Sequence, residues 1–208
     1  MNIAFVEANH DRETASVHAA RKIALDTVIS ENGNTVVRLF GALANPDELR
    51  KAWKGISGYF GLIRGMGHGS NNTFTGQNEV VIFGNLGTAD HTAQAAIVHL
   101  YSCNCGNGLG KHLMANNAKA FVGYGDRVLL PSTDTLSQLF VRESTSIDKA
   151  IVAGNSSGQV KSIAEQNYVR ARAELENHPD STFDDLAWLE SNHSALVGPW
   201  NTPAFGAF

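Results

Sequence analysis

The chain has 208 residues, 43% hydrophobic and 17% charged, with a formal net charge of −4. That size and composition describe a globular chain that buries a core without disulfides or metals, and they exclude a disordered one. The acidic balance and the absence of any Lys/Arg cluster argue against sequence-independent nucleic-acid binding, which needs a basic face.

Residues 3–6 are a short apolar run, the expected first strand. Residues 14–30 carry Val17, Ala20, Ile23, Ala24 and Val28 at the spacing of an amphipathic helix, which Glu31-Asn32-Gly33 ends. Residues 35–40 read as a second strand. Asn45 and Pro46 then open a helix as N-cap and first helical residue. Residues 59–63 are the third expected strand, leading into Gly65-Met66-Gly67-His68-Gly69-Ser70. Residues 80–83 suggest a small extra strand, half of a hairpin, and residues 90–96 a short helix. Residues 97–101 are the next core strand and run into Ser102-Cys103-Asn104-Cys105-Gly106. A helix over 109–118 and a strand over 120–124 follow. The tail from about residue 146 reads as mainly helical, with segments at 147–153, 160–176 and 183–189.

This alternation predicts an α/β fold, a three-layer α/β/α sandwich with a mostly parallel central sheet. With no internal repeat and no linker, residues 1–208 read as one domain. The first residues have no signal-peptide character, and no stretch approaches the roughly 20 apolar residues of a membrane span. A cytoplasmic location without membrane partners is therefore expected. Cys103 and Cys105, one residue apart, are poorly placed to bridge each other, and two thiols without a CxxC pair do not make a structural zinc site.

Two positions carry chemistry for the same reason. His68, between two glycines, and Cys103 each sit just past an apolar strand in a glycine-bearing turn. In an open α/β sheet such positions gather at the carboxyl edge. If the two strands are neighbours, a thiol and an imidazole emerge together, the arrangement of an activated nucleophile. The backbone N–H groups of Gly69 and Cys103 would then hold a developing oxyanion. The bland reading of the same residues is a buried cysteine and an incidental histidine. His99, inside its strand, reads as a satisfied core residue. His10 and Asp11 follow the first strand at the same edge, where either could contact substrate; the plainer reading is a solvated loop and helix start, with Asp11 as cap. His112, His178 and His193 show no ligand spacing, and residues 188–200 read as core-covering material. The Gly106 to Gly110 stretch lacks the GxxxxGK[ST] of a phosphate loop.

The segments Val98-His99-Leu100-Tyr101-Ser102-Cys103-Asn104-Cys105-Gly106, Gly110-Lys111-His112-Leu113-Met114 and Ala118-Lys119-Ala120-Phe121-Val122-Gly123 resemble the nucleophile region of caspase-like cysteine peptidases. They are most similar to CHAT domains and to separase and gingipain relatives. That family also carries an apolar strand ending in a His-Gly pair, here Leu62-Ile63-Arg64-Gly65-Met66-Gly67-His68-Gly69. The resemblance covers roughly residues 58–130, with 35 positions from His68 to Cys103.

It implies a thiol endopeptidase working through a His68–Cys103 dyad, with no metal or organic cofactor and no third orienting residue. Cys103 falls on the nucleophile position, and Cys105 is a small turn residue. Asp126, past the next strand, takes the place of the acidic residue that lines the substrate pocket in separase and gingipain relatives. That implies a protein or peptide substrate cut after a basic residue, through charge-assisted hydrogen bonds. An inward Arg127 would instead turn the preference to acidic residues. The resemblance also implies a regulatory partner or an oligomer. Two other classes stay open: a non-catalytic interaction module on the same fold, and a thiol amidohydrolase acting on a small molecule.

Overall fold

The protein is described here from a computed structural model covering residues 1–29, 33–84 and 91–200, apart from the side chains of 23–29. The strands are β1 (Asn2–Glu7), β2 (Thr35–Phe40), β3 (Leu62–Met66), β4 (Thr73–Thr75), β5 (Val81–Gly84), β6 (Ile97–Tyr101), β7 (Ala120–Tyr124) and β8 (Leu196–Val197). The helices are α1 (Arg12–Ile29), α2 (Pro46–Gly55), α3 (Leu109–Ala115), α4 (Ser137–Val152), α5 (Ser157–Glu176) and α6 (Phe183–Ala195). Six strands pair in the order β2-β1-β3-β6-β7-β8, all parallel except β8. The α/β class and the mostly parallel sheet are as the alternation predicted. Among the described residues, no helix is long and apolar enough to cross a membrane.

Side-chain alternation along buried strands sends residues to two faces. Ala4 and Val6 join Ile63, Val98 and Leu100 in a core closed by Leu49 of α2 and by Leu109 and Leu113 of α3. Ile3 and Phe5 join Leu62, Ile97 and Val122 in a core closed by Ile147 and Ile151 of α4 and by Val160 and Ala164 of α5. Helix α1 packs beside α4 on this second face. Helices thus cover both faces of the sheet.

Local chemistry fixes the helix starts. Asn45 accepts the Glu48 N–H at 3.0 Å with Pro46 at the first helical position, as expected. Ser156 with Gln159, and Thr182 with Asp185, form capping boxes for α5 and α6.

Several boundaries differ from expectation, among them α3, which ends at Ala115, and α6, which runs to Ala195. The third strand lies at Leu62–Met66, later than residues 59–63. Gly65 continues it because a Cβ there would sit 2.6 Å from Leu100 Cδ2 and from Phe74 Cζ. The helical tail begins at Ser137, earlier than residue 146. Residues 91–93 make a single 3-10 turn, and Asp90 and residues 85–89 lie outside the described residues. The extra strand is β5, paired antiparallel with β4.

The second face carries charge where a buried parallel sheet is usually apolar. Phe5, Arg64, His99 and Val122 form one cross-strand row. Arg64 and His99 are fully buried, as are Arg21 of α1 and Asp148 of α4. Asp148 Oδ1 meets His99 Nδ1 at 2.6 Å, and its Oδ2 meets Arg21 Nη2 at 2.8 Å and Arg64 Nε at 2.6 Å. The far end of Arg64 pairs with Glu7, whose other oxygen takes His18 Nδ1 at 2.7 Å. His99 is thus the core residue that its position predicted, but it is satisfied at Nδ1 alone, since its Nε2 has no hydrogen-bond partner among the described residues. Two arginines and two carboxylates balance, so removing one partner strands a charge in the core. Asp148→Ala is expected to cost about 3–5 kcal/mol, read as a lowered urea midpoint. A loss under about 1 kcal/mol would mean that the row is not a connected unit.

Candidate catalytic site

The ends of three adjacent strands set the site. Glu7 of β1 pairs with Met66 of β3, and Met66 pairs with Tyr101 of β6. His68 lies two residues past Met66, and Cys103 two residues past Tyr101. The neighbour relation that the dyad requires is therefore present, with both residues at matched positions on one edge. Both line a cavity of about 210 Å³.

The turns are held from behind. The His68 carbonyl accepts the Thr75 N–H at 2.9 Å, and Gly69 bridges to Phe74. A side chain at Gly69 would collide with Ser102 Oγ, Cys105 Sγ and the Cys103 carbonyl. Only a glycine lets the histidine turn lie flat on the cysteine turn. In the cysteine turn, Asn104 is left-handed at φ 58°. Its N–H donates to the Asp126 carbonyl at 2.9 Å, and the Gly106 N–H donates to Tyr124 at 2.8 Å.

Asp11 supplies what the sequence reading left out. It follows β1 and caps α1, its Oδ1 accepting the Thr14 N–H at 2.7 Å and the Thr14 hydroxyl at 2.8 Å. Its Oδ2 lies 2.5 Å from His68 Nε2. Burial opposes the charge on Asp11, but the hydrogen bonds from His68 and Thr14 prevail and hold its carboxyl at about 2. A carboxylate that low is acceptor-only, so His68 Nε2 is the donor. In neutral His68 the bare lone pair is then on Nδ1. The expectation of a dyad without an orienting group gives way to an Asp11–His68 pair. The signal was available: Asp11 stands past a strand neighbouring the histidine strand, but its capping role accounted for it.

The two thiols differ sharply. Cys105 is fully buried, and burial pushes its thiol up to about 11. Cys103 is half-buried, lines the cavity and accepts the Val128 N–H on sulfur at 3.3 Å. Among the described residues no hydrogen bond joins Cys103 to His68, whose side chain is 44% exposed. The backbone N–H groups of Gly69 and Cys103 have no acceptor among the described residues.

Asp126 does not line the cavity. It is exposed, and its carboxylate accepts the Arg127 N–H at 2.7 Å. Arg127 is exposed as well and also lies outside the lining. The loop turns inward only at Val128 and Leu130, where Asn192 of α6 grips Leu129 by both backbone groups at 2.7 Å. The apolar walls are completed by Val17, Met66 and Tyr101, and among the described residues Glu13 is the only acidic one lining the cavity.

The Asp11 carboxyl is depressed from 3.8, so what it contributes to stability is complete above 3.8 and lost as pH falls through about 2. Asparagine keeps the cap but not the charge. The stability gap between wild type and Asp11→Asn is expected to be flat above about pH 5 and to close towards pH 2. Nitrogen-detected NMR of wild type at neutral pH should show His68 protonated at Nε2, and the bias should weaken in Asp11→Asn. A gap that fails to close towards pH 2, or a wild-type Nδ1–H tautomer, would overturn the pairing. Comparison with known proteins adds no further constraint: no family model and no curated protein sequence matches this chain.

Proposed function

We propose that the protein is a cysteine endopeptidase of the caspase-like kind, with Cys103 as nucleophile and His68, oriented by Asp11, as general base. The observation that carries this reading is the matched register. An accessible thiol and an imidazole stand at equivalent positions past two hydrogen-bonded parallel strands and open into one cavity.

The chemistry follows from the geometry. A scissile carbonyl enters between the two side chains. The Cys103 sulfur attacks the carbonyl carbon as its proton passes to His68 Nδ1, and the carbonyl oxygen gains charge. The free N–H groups of Gly69 and Cys103 are the donors available to that oxygen. Collapse expels the amine, which takes the proton from His68 and leaves a thioester on Cys103. Water, deprotonated by His68, then hydrolyses the thioester. Asp11 stabilises the imidazolium in both halves and stays ionised throughout.

The cavity favours a substrate side chain with a long apolar stem and a basic tip. Val17, Met66, Tyr101 and Leu130 cover the stem, as hydrocarbon walls do for Lys and Arg. The preference for a basic residue is kept, with Glu13 in place of Asp126 as the pairing acid.

An Arg-directed acyloxymethyl ketone is expected to label wild type and Cys105→Ala but not Cys103→Ala, read by intact mass. Labelling that persists without Cys103, or requires Cys105, would overturn the nucleophile assignment. Failure of a peptide library to be cut by a chain that the probe labels would favour the small-molecule amidohydrolase. In peptide cleavage, Glu13→Gln should lower the Arg-over-Leu preference about tenfold, as loss of one charge-assisted contact predicts. An unchanged ratio would remove Glu13 from recognition.

A further inference from the structure

We infer that His10, Asp11 and His68 form a binding site for a zinc-class divalent ion, and that an ion held there takes His68 out of its role as base. Each of the three side chains presents one ligand atom, and these atoms all lie within 4.8 Å of one another. His10 Nε2 stands 3.3 Å from the Asp11 oxygen that also meets His68 Nε2 at 2.5 Å. Ligands bound to zinc at about 2.0–2.1 Å in a tetrahedron are separated by about 3.3 Å, so the His10–Asp11 edge already has the required length, whereas the His68–Asp11 edge, a 2.5 Å hydrogen bond, must open by about 0.8 Å as the ion replaces its proton. The two imidazoles meet edge to face with centroids 5.6 Å apart, and the Nε2 of each faces the same carboxylate oxygen. A second observation sets His10 apart from an ordinary loop histidine. Its side chain is 15% exposed, and its Nδ1, the nitrogen that does not face Asp11, is buried without a hydrogen-bond partner among the described residues.

The donor set selects the ion. Two imidazoles and one carboxylate suit zinc, cobalt, nickel or copper, whereas calcium and magnesium require sites built from oxygen. Three protein ligands leave a position open, as in accessible zinc sites. Thr14 braces the carboxylate from behind, the outer support that metal ligands require.

Exclusion of the base role follows from the tautomer and rests on the proposed mechanism; the site itself does not. A metal takes the lone pair of the nitrogen it binds. With the ion on His68 Nε2, the proton of neutral His68 resides on Nδ1, the atom that must be bare to accept the thiol proton. Metal binding and general-base action are mutually exclusive states of one ring. No spacing motif announced the site, because His10 and His68 are 58 positions apart and meet only across the β1–β3 pair.

The test uses the full chain without a histidine tag, titrated with Zn²⁺ by calorimetry and with Co²⁺ by absorption. One ion per chain is expected, with the intense visible bands of low-coordinate cobalt. His10→Ala should weaken Zn²⁺ binding at least about tenfold, and Asp11→Asn, which preserves the cap, should do likewise. Cys103→Ala should retain the visible bands, which separates this site from thiol capture of the ion. Zn²⁺ binding undiminished in both His10→Ala and Asp11→Asn would overturn the site. Where the metal-free chain is labelled at Cys103, Zn²⁺ should slow labelling of wild type and not of His10→Ala; equal slowing of both would overturn the exclusion. A metal-free chain that the probe never labels counts against the peptidase alone, since the titrations still decide the site.

Discussion

The Asp148 carboxylate beneath the sheet is the interaction on which the site's geometry depends. It gathers Arg21 from α1, Arg64 from β3 and His99 from β6 into one contact, so two helices and strands are tied at a point. The two strands concerned are those whose following turns carry His68 and Cys103. Glu7 extends the tie to β1, whose following turn carries Asp11. Such a network is not needed to stabilise a fold, since apolar residues of similar volume do as well or better. Its effect is on uniqueness. A two-residue slip of β3 against β6 would leave apolar side chains buried but would strand Arg64 without a partner. Chemistry between a thiol and an imidazole is sensitive to displacements of about 1 Å, and register is what a charged row defends.

The sheet was legible in the sequence wherever apolar residues ran unbroken. Residues 97–101 and 120–124 coincide with β6 and β7. The strand at Leu62–Met66 was placed early because Arg64 and Gly65 look unlike strand interior. Both are forced by long-range partners: Arg64 by Asp148 and Glu7, and Gly65 by Leu100 and Phe74. The first half of α4 was missed for a related reason. Glu143, Ser144, Thr145 and Ser146 are buried, so polarity there does not mark the solvent face on which periodicity arguments rely. Glu143 meets His193 Nδ1 at 2.6 Å, a partner from α6 that no local window contains.

The site divides along the same line. His68 and Cys103 are visible because each is a reactive side chain directly after an apolar run, and that position is local information. Asp11 was hidden by its second role. A carboxylate at a helix start has a sufficient local explanation in its cap, and only the β1–β3 pairing shows that its other oxygen faces His68. Asp126 stands outside the cavity lining because the course of its loop is set from α6. Asn192 holds Leu129 from 63 positions away and thereby chooses Val128 and Leu130 to form the wall. Asp126 remains important through its backbone, whose carbonyl fastens the cysteine turn.

The contrast between the two cysteines shows how little separates a cavity-lining thiol from a core residue. They belong to one turn, two positions apart, and between them Asn104 adopts a left-handed conformation that reverses the chain. Before the reversal the sulfur faces the cavity and meets a donor N–H from Val128. After it the sulfur enters the apolar cluster of Ala96, Val98 and Leu109, where ionisation is opposed by the cost of burying charge. Gly69 leaves room for both outcomes, since any side chain there would press on Ser102, Cys103 and Cys105 together. Which thiol reaches the cavity is therefore decided by backbone direction, set by one residue at φ 58° and one glycine, and not by the thiol itself.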